Sequence, residues 1–369
     1  MQRESPDLPR HAFMAGDGRL GAADIRDVMQ KVLDSLESDI SQLSERQPLP
    51  ATSSRFDEAF PRRGRSWDEM MELLTMLFRH SLNPSHPRYV GHMDSVPTLM
   101  SIVGDFAAAI LNNNLLSLEM SPALSILEKQ VVRQFGRAFG LGEKSGGVMT
   151  AGGTLANLEA LAVARNWAFA VHNGGMAGLP ERPVLFASEV AHTSVKKVAM
   201  LLGLGVLAVI PVRVNANSQM MPDDLEEKIQ GALSHGKAPF AVVGTAGTTV
   251  TGNIDPLQEI GVLAKRHGLW FHVDAAYGGA LTFSPTHRGR LSGIELADSI
   301  TFNPQKWMYI AKTCAMVLFK DADLLLSHFR VAAPYMNETD FVNLGEISAV
   351  LTHDGCGKWV VLAKISRGR

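Results

Sequence analysis

The sequence predicts an α/β protein with a parallel or mixed β-sheet that helices cover on both faces. From about residue 95, amphipathic helical segments alternate with short apolar segments of strand length. These strand segments are almost continuously apolar, which is typical of strands buried on both faces. No repeat of solenoid length accompanies this alternation, so stacked-repeat folds are excluded.

Before the alternation begins, residues 1–85 are predicted to form a helical segment. Apolar residues at helical spacing predict a helix over residues 22–43, and the stretch that starts at Ser66 resembles a capping box opening a second helix. The proline- and arginine-marked residues 47–65 between them predict a loop. Because short helices bury little surface alone, we expect these two to pack against the rest of the chain or a second copy of it.

The later elements follow one another in βα order. Helices are predicted over residues 123–139, 155–171, 194–202, 225–233 and 257–267, with a turn over 140–147. Strands are predicted over residues 184–187, 205–212, 240–244 and 269–273. In sheets of this kind ligands bind beyond the carboxyl ends of the strands, so we expect the functional residues in the loops that follow them.

Composition limits the classes of function. With 46% hydrophobic and 20% charged residues, the 369-residue chain has ample material for a large core, and its length suggests about two domains. The net charge of −2, from 35 basic and 37 acidic residues without a basic block, gives no reason to expect a nucleic-acid partner. A ligand must therefore be recognised in a specific pocket.

Targeting and redox signals are few. The two cysteines, Cys314 and Cys356, are far apart and form no disulfide framework or zinc pattern, which fits a reducing compartment. The polar N-terminus lacks a signal-peptide pattern, and the longest apolar stretch, residues 198–212, is short of a membrane span and interrupted by glycine and proline. We expect a cytoplasmic protein with no membrane partner.

A first candidate site is the sequence AGGT at residues 151–154, which precedes a helix-forming run. Glycines before a helix let backbone N–H groups approach an anion, and the hydroxyl of Thr154 could bind a phosphate. The alternative is a plain turn in which Thr154 caps the helix. The spacing does not match a P-loop.

Asp274 ends the apolar strand in the sequence WFHVDAAYGG. A buried carboxylate is costly unless something positive meets it, so Asp274 is a helix cap, a metal ligand or the partner of a protonated ring nitrogen. The small residues that follow it, Ala275, Ala276, Gly278 and Gly279, would leave room for a flat ligand.

Lys306 lies among apolar and aromatic residues in the sequence ITFNPQKWM. Burial lowers the pKa of a lysine, and a neutral amine is the nucleophile that Schiff-base chemistry requires. The alternative is a surface lysine that extends its charged end into water.

Two further candidates lie in neighbouring loops. His192 lies at a strand-to-helix junction, where an imidazole is either structural or able to stack on a ligand ring and exchange protons with it. The hydroxyl-rich stretch at residues 245–249 directly follows the strand FAVVG. Taken in order, the five candidates supply what pyridoxal phosphate needs: an anion site, a ring partner, a carboxylate for the pyridine nitrogen and a Schiff-base lysine.

These motifs resemble those of the group II pyridoxal-phosphate-dependent amino acid decarboxylases, the family of glutamate, aspartate and aromatic amino acid decarboxylases. The resemblance extends from HPRY at residues 86–89 to NLGEIS at residues 343–348, and HVDAAYGG with NPxKW is its most specific part. It implies a fold-type I, aminotransferase-like domain over residues 86–330, and a homodimer with active sites at the subunit interface. Residues 1–85 would contribute to dimer packing.

The resemblance also implies roles for single residues. Lys306 would bind the cofactor covalently, Asp274 would pair with the pyridine nitrogen, and His192 and Ala276 would pack on the two faces of the ring. His192 would also assist protonation after carbon dioxide leaves. Gly153, Thr154 and Asn303 would bind the phosphate. Thr248 would lie near the 3′ substituent of the ring or the substrate carboxylate.

The sequence departs from the family pattern in two places. Gln305 precedes the lysine where the family often has histidine, and an amide cannot titrate. Residues 349–369, which follow the NLGEIS segment, do not match the family and look truncated or frame-shifted, so residues 331–369 would be only the start of an incomplete C-terminal small domain. We therefore expect the cofactor site to be encoded and the substrate site to be incomplete. Tyr335 lies where a substrate-covering loop would begin and receives no role.

The resemblance predicts decarboxylation of an L-amino acid to a primary amine and carbon dioxide, with an acidic substrate such as aspartate or glutamate preferred on the segments HPRYVGHM and GTAGTTVTGNIDPL. Aromatic and diamino acids stay open as substrates. So do another lyase or transferase of the same fold and a truncated paralogue that binds cofactor or partner without turnover.

Overall fold

The computed structural model describes residues 22–50, 64–171 and 173–329. Spatial contacts divide the chain into two compact units, Met1–His92 and Met93–Arg369. Within the residues described, no helix has both the length and the apolar character to cross a membrane. The region predicted as the start of a C-terminal domain, residues 331–369, lies outside the described residues, as does Tyr335.

The first unit contains the two predicted helices, α1 (Ala22–Ser41) and α2 (Trp67–His80), which contact each other. The predicted capping box is confirmed. The Glu69 backbone N–H donates to Ser66 Oγ at 3.2 Å, and the Ser66 backbone N–H donates to Glu69 Oε2 at 2.6 Å. Two orphan donors at the start of α2 are thereby satisfied, which fixes where this helix begins.

The second unit holds a seven-stranded sheet and further helices. The helices are α3 (Leu99–Leu111), α4 (Pro122–Ala138), α5 (Gly153–Phe169), α6 (Ser194–Leu201), α7 (Pro222–Ser234), α8 (Leu257–Arg266) and α9 (Ala322–Phe329). The strands are β1 (Gly146–Thr150), β2 (Arg182–Ser188), β3 (Val209–Val212), β4 (Lys237–Thr245), β5 (Trp270–Asp274), β6 (Ser299–Phe302) and β7 (Ala315–Phe319).

The strand order is β1-β7-β6-β5-β4-β2-β3. Every pair from β6 to β3 is parallel, and β7 is antiparallel to both of its neighbours. Consequently β1 runs in the same direction as the parallel strands, and the carboxyl ends of six strands meet at one edge. The predicted mixed, mostly parallel sheet is confirmed.

The core lies on both faces of this sheet. All residues of β5, β6 and β7 are buried, and because neighbouring side chains on a strand point to opposite faces, both faces must be covered. Helix α5 contacts β1, β4, β5, β6 and β7. At the end of β6, the Phe302 ring packs against Phe135 and Phe139 with centroids 5.5 and 5.3 Å apart. This aromatic cluster anchors the strand end from which the predicted lysine loop departs.

Some predicted elements were wrong. The strand predicted over residues 205–212 begins only at Val209, because Gly205 adopts φ +78° and Val206–Ala208 form a 3-10 turn. The turn predicted over residues 140–147 includes the first residues of β1. Gly147 belongs to that strand because a Cβ there would lie 2.0 Å from the Val317 carbonyl oxygen of β7, so only glycine permits this close pairing.

Candidate active site

A cavity of about 230 Å³ lies at the carboxyl ends of the parallel strands. Its lining comes from the last residues of β4 and β5, from the loops after β2, β4, β5 and β6, and from the start of α5. The lining residues are Gly153, Thr154, Asn157, His192, Thr245, Gly247, Thr249, Asp274, Ala276, Tyr277, Asn303 and Lys306. Segments far apart in the sequence thus converge where the sheet topology predicts a ligand.

Lys306 reaches this cavity from a short turn after β6. Its backbone N–H donates to the Asn303 carbonyl at 3.0 Å, and its carbonyl accepts a hydrogen bond from Ser95 Oγ at 2.6 Å. Burial lowers the pKa of the Lys306 amine, and nearby Lys312 lowers it further. The charges of Asp274 and Asp94 oppose this effect. The Lys306 side chain is half-buried and lines the cavity, whereas a surface lysine would extend its charged end into water.

Asp274 is the last residue of β5 and is 7% exposed. Asn157 Nδ2 donates to Asp274 Oδ2 at 3.0 Å, and the Ala276 backbone N–H donates to Oδ1 at 3.2 Å. Among the described residues, no group of three or more His, Cys, Asp or Glu side chains is arranged to hold a metal ion. Asp274 also lines the cavity, so its carboxyl group faces a ligand bound there.

His192 lies in the loop between β2 and α6. Its Nδ1 is 2.8 Å from Ser194 Oγ and accepts a longer hydrogen bond, 3.3 Å, from the Ser194 backbone N–H. One edge of the imidazole is thus fixed at the start of α6, while the side chain itself is exposed and lines the cavity. A ring held by one edge leaves its face available for stacking.

Gly153 and Asn303 approach each other closely at the start of α5. In the amide orientation that satisfies both neighbours, Asn303 accepts from the Gly153 backbone N–H at 3.2 Å and donates to the Phe302 carbonyl at 3.2 Å. A Cβ on Gly153 would lie 3.1 Å from this amide group. Thr154 does not cap the helix, because Gly152 is the N-cap residue and no side chain bonds there. Its side chain therefore remains available to the cavity.

In the hydroxyl-rich loop after β4, Thr248 was expected to lie near the ligand, but other threonines of this loop line the cavity. Thr248 is buried outside the lining, and its Oγ1 lies 2.7 Å from Thr251 Oγ1 and accepts from the Asn253 backbone N–H at 3.2 Å. Thr245 and Thr249 line the cavity instead. The buried hydroxyl of Thr245 has no hydrogen-bond partner among the described residues, so a ligand can use it.

The glycines after Asp274 serve a different purpose from the one expected. A Cβ on Gly278 would lie 2.5 Å from the Ala246 carbonyl oxygen, and one on Gly279 would lie 2.7 Å from the Phe302 ring. The absent side chains therefore permit close packing of this loop on its neighbours, and neither glycine is among the residues that line the cavity. Ala276, in contrast, does line the cavity.

Gln305 does not line the cavity. Its Oε1 accepts from the Cys314 backbone N–H at 2.6 Å, and its backbone N–H donates to the Cys314 carbonyl at 3.3 Å. Gln305 therefore ties the lysine loop to the beginning of β7. The next residue, Trp307, stacks on Tyr277 with ring centroids 4.7 Å apart and 9° between the planes.

The structure thus brings seven of the predicted site residues into one cavity and places Thr248 outside its lining. Sequence reasoning missed Asn157, whose position on a helix gave no signal. It also missed His272, which lies on β5 and is fully buried beneath the site. Burial lowers the pKa of His272 to about 4, an effect that the charge of Asp274 opposes. The imidazole is therefore neutral at physiological pH.

The donor set in the cavity fits pyridoxal phosphate. A partly desolvated lysine and an acceptor carboxylate line the same pocket, together with an imidazole, an unpaired buried hydroxyl and a glycine–asparagine corner at a helix N-terminus. Fold and site together define a pyridoxal-phosphate-dependent protein of fold type I.

The comparison of sequences identifies the family. Residues 50–354 match the pyridoxal-dependent decarboxylase conserved domain, and the chain belongs to this family. The chain is 36% identical over 266 residues to the acidic amino acid decarboxylase GADL1 of Bos taurus, covering 72% of this chain and 51% of that protein. It therefore spans about half the length of this curated relative.

Two solved structures show the same architecture. Mouse CSAD in its apo form has a TM-score of 0.87 and 28% identity, with 94% of this chain and 75% of that chain covered. The second is the glutamate decarboxylase domain of a diaminobutyrate-pyruvate transaminase and L-2,4-diaminobutyrate decarboxylase from Vibrio parahaemolyticus. It has a TM-score of 0.78 and 30% identity, with 85% and 70% covered. Pyridoxal phosphate is accordingly the cofactor that this family uses.

Proposed function

We propose that this chain catalyses the decarboxylation of an L-amino acid, releasing carbon dioxide and a primary amine. The observation that carries the proposal is the presence of Lys306 and Asp274 in one cavity of a pyridoxal-dependent decarboxylase domain. Bound pyridoxal phosphate supplies a carbonyl that bonds to amines and a ring that takes up the electron pair left when carbon dioxide departs.

In this proposal, the residues of the chain hold the cofactor at both of its ends. Lys306 provides the amine for covalent attachment, and its lowered pKa increases the fraction in the reactive neutral form. The Asp274 carboxylate would pair with the pyridine nitrogen and stabilise a proton there, which would make the ring a better acceptor of electrons. Gly153, Thr154 and Asn303 bind the phosphate at the start of α5.

Residues of neighbouring loops are assigned to the two faces of the cofactor ring and to the transfer of a proton. His192 would pack on one face of a bound ring and Ala276 on the other, since both line the cavity, and the His192 imidazole would supply a proton to the bound substrate. For the position near the ring's 3′ substituent, the cavity lining favours Thr245 or Thr249 over Thr248. Since Thr248 is already bonded within its own loop, we assign it the positioning of that loop.

For the substrate, we propose an acidic amino acid, aspartate or glutamate. The support is the name of the bovine relative, an acidic amino acid decarboxylase. A diamino acid is the second candidate, because the Vibrio parahaemolyticus structure is a domain of a protein named for L-2,4-diaminobutyrate decarboxylation. Aromatic substrates, another lyase reaction and cofactor binding without turnover remain outcomes of the test.

A screen of carbon dioxide release over all amino acids tests the proposal, with the purified chain and a Lys306→Ala variant as control. We expect release from aspartate or glutamate and the matching amine as product, with none from the variant. Keto acid or aldehyde in place of amine would indicate a different lyase or transferase. A yellow protein that releases no carbon dioxide from any amino acid would refute the activity and leave a cofactor-binding paralogue.

We further propose that the chain acts as a homodimer through α3. This helix exposes a row of large apolar side chains that a monomer would leave in water: Leu99, Met100, Ile102, Val103, Phe106, Ile110 and Leu111. It is also joined to the lysine loop, since the Thr98 backbone N–H donates to the Tyr309 carbonyl at 2.8 Å and the Ala311 N–H to Ser101 Oγ at 2.6 Å. A second copy seated on α3 would therefore adjoin the cavity.

Analytical ultracentrifugation tests this assembly. We expect the chain to sediment as a dimer and an Ile102→Glu variant to sediment as a monomer, because a charge in the centre of an apolar interface is poorly solvated. A Leu207→Glu variant should stay dimeric, because Leu207 is an exposed apolar residue just before β3, at the amino ends of the parallel strands and therefore away from the cavity. A monomeric parent chain would contradict the proposal.

A further inference from the structure

Asn157 lies at the centre of a buried polar network beneath the cavity. It is 1% exposed and projects from α5. Its Nδ2 donates to Asp274 Oδ2 at 3.0 Å and to Ser194 Oγ at 2.9 Å, and its Oδ1 lies 3.0 Å from His272 Nε2. The amide group therefore uses both of its N–H donors and its acceptor, and it connects α5 to two other elements, β5 and the start of α6.

The chemistry of these partners fixes the orientation of the Asn157 amide. A reversed amide would place its oxygen against a carboxylate oxygen of Asp274, where neither atom can donate. The nitrogen must therefore face Asp274, and the oxygen must face His272. Because an amide oxygen can only accept, His272 carries a proton on Nε2.

The other side of the His272 ring is fixed by the same reasoning. The Trp270 indole N–H donates to Ser299 Oγ at 2.8 Å, and Ser299 Oγ lies 2.9 Å from His272 Nδ1. Since an indole nitrogen can only donate, the single proton of Ser299 is directed to His272 Nδ1. Burial lowers the pKa of His272 to about 4, so the neutral ring with its proton on Nε2 is the form that the network holds.

A second branch connects Asn157 to His192. Ser194 Oγ accepts from Asn157 Nδ2, so its own proton is free to go to His192 Nδ1 at 2.8 Å. The Ser194 backbone N–H also donates to this nitrogen at 3.3 Å. With two donors directed at Nδ1, the neutral His192 ring carries its proton on Nε2.

We propose that Asn157 is a positioning residue that couples Asp274 to His192. The Asn157 Nδ2 donates to the Asp274 carboxylate, which therefore acts only as an acceptor. Through Ser194, Asn157 also selects the tautomer of the His192 imidazole that lines the cavity. The role of Asp274 as the partner of the ring nitrogen rests on the proposed function. The hydrogen-bond directions and the tautomers rest on the geometry of the chain alone.

Two variants separate the branches of the network. Asn157→Asp keeps the shape of the side chain but replaces the donor that faces Asp274 with an oxygen. Ser194→Ala removes only the hydroxyl that acts on His192 and keeps the bond between Asn157 and Asp274. Ser125→Ala is the matched control, because Ser125 is also a buried serine and its hydroxyl has no partner among the described residues.

The first measurement is nitrogen-15 NMR of the histidine-labelled full chain without added cofactor, with His192 and His272 assigned by single His→Gln variants. We expect both rings to show the Nε2-protonated tautomer in the parent chain and in Ser125→Ala. Ser194→Ala should add a clear Nδ1-protonated population at His192 alone, since its stronger donor is gone. Unchanged His192 signals in Ser194→Ala would overturn the proposed coupling.

The second measurement is the dissociation constant of pyridoxal phosphate for each variant. Loss of a hydrogen bond to a charged group corresponds to about 10- to 100-fold weaker binding, which we expect for Asn157→Asp. Parent-like affinity in a folded Asn157→Asp chain would contradict the role assigned to Asn157. If that variant does not fold, the NMR result for Ser194→Ala still decides the matter. A failed carbon dioxide assay would refute the proposed function and leave the tautomers unaffected.

Discussion

Replacing Glu128 with glutamine should stabilise the folded chain, and increasingly so as the pH rises. Glu128 lies on α4, is 6% exposed, and its Oε1 accepts from the Met149 backbone N–H at 2.9 Å. Met149 belongs to the edge strand β1, which pairs with β7 alone among the described strands. The side chain thus satisfies a backbone donor on the strand that directly precedes α5. Glutamine offers the same acceptor without the charge.

The size of the effect follows from the pKa of this carboxyl group. Burial raises the pKa of Glu128 from 4.5 to about 7, although the hydrogen bond from Met149 opposes the increase. Below pH 4.5 the Glu128 carboxyl group is protonated in both the folded and the unfolded chain. The difference between its two pKa values therefore does not change the stability in this pH range. As the pH rises from 4.5 to 7, the unfolded chain loses this proton first, so stability falls by about 3 kcal/mol and stays lower above pH 7.

Urea unfolding of the parent chain and of Glu128→Gln at two pH values measures this difference. The free energy of unfolding of the variant should exceed that of the parent by about 1.4 kcal/mol near pH 5.5 and about 3 kcal/mol near pH 8. Glu143→Gln is the control, because Glu143 is 80% exposed in its ion pair with Arg137. An advantage of Glu128→Gln that does not change with pH would refute the assignment of a raised pKa.

Three further substitutions test the cofactor site. Lys306→Ala should abolish the visible absorbance of the lysine-bound cofactor in spectra of the purified protein, and persistence of that absorbance would mean that another lysine is the anchor. Asp274→Ala should weaken pyridoxal phosphate binding by about tenfold or more and largely remove carbon dioxide release, because the ring nitrogen loses its counter-charge; normal rates would contradict its role. Gly153→Ala places a Cβ 3.1 Å from the Asn303 amide and should weaken cofactor binding several-fold in a titration. Gly152→Ala, with no atom within 4 Å of its Cβ, should bind like the parent chain.

The central strands could be predicted because their sequences leave few alternatives. The apolar run at residues 240–244 lies between helical segments, and a strand buried on both faces is the element that best explains this pattern. Once β4 and β5 are parallel neighbours, Thr245 and Asp274 must lie side by side, as their register shows. Convergence of the loops is therefore a property of the topology, and sequence order was sufficient to predict it.

The elements that were missed lack this clear pattern. Strand β6 has only four residues, two of them serine and threonine, although all four are buried. Helix α3 is apolar on nearly every side, so no face stands out by periodicity. Gly146 and Gly147 were interpreted as a turn because glycine is common there. The close approach of β7 that requires glycine at position 147 comes from a segment about 170 residues later in the sequence.

The residues of the site also differ in how clearly the sequence marks them as functional. Lys306 and Asp274 stood out because a charge inside an apolar segment needs an explanation. Asn157 did not, since an asparagine on a helix is unremarkable and its partners Asp274 and His272 lie 117 and 115 positions away. The difference between Thr248 and Thr249 depends on the conformation of a single loop, which a pattern of hydroxyl residues does not determine.

The way in which Asp274 is held explains how the chain keeps a lysine with a lowered pKa near a carboxylate. Had Lys306 been the counter-ion of Asp274, the resulting ion pair would have fixed the amine in its protonated form. Instead, both carboxylate oxygens receive donors from Asn157 and Ala276, and Lys306 forms no salt bridge with any carboxylate that the structure describes. Burial can then lower the pKa of the amine although the charge of Asp274 opposes it. The cost of burying the carboxylate is offset by neutral donors, which leaves both groups available to a ligand placed between them.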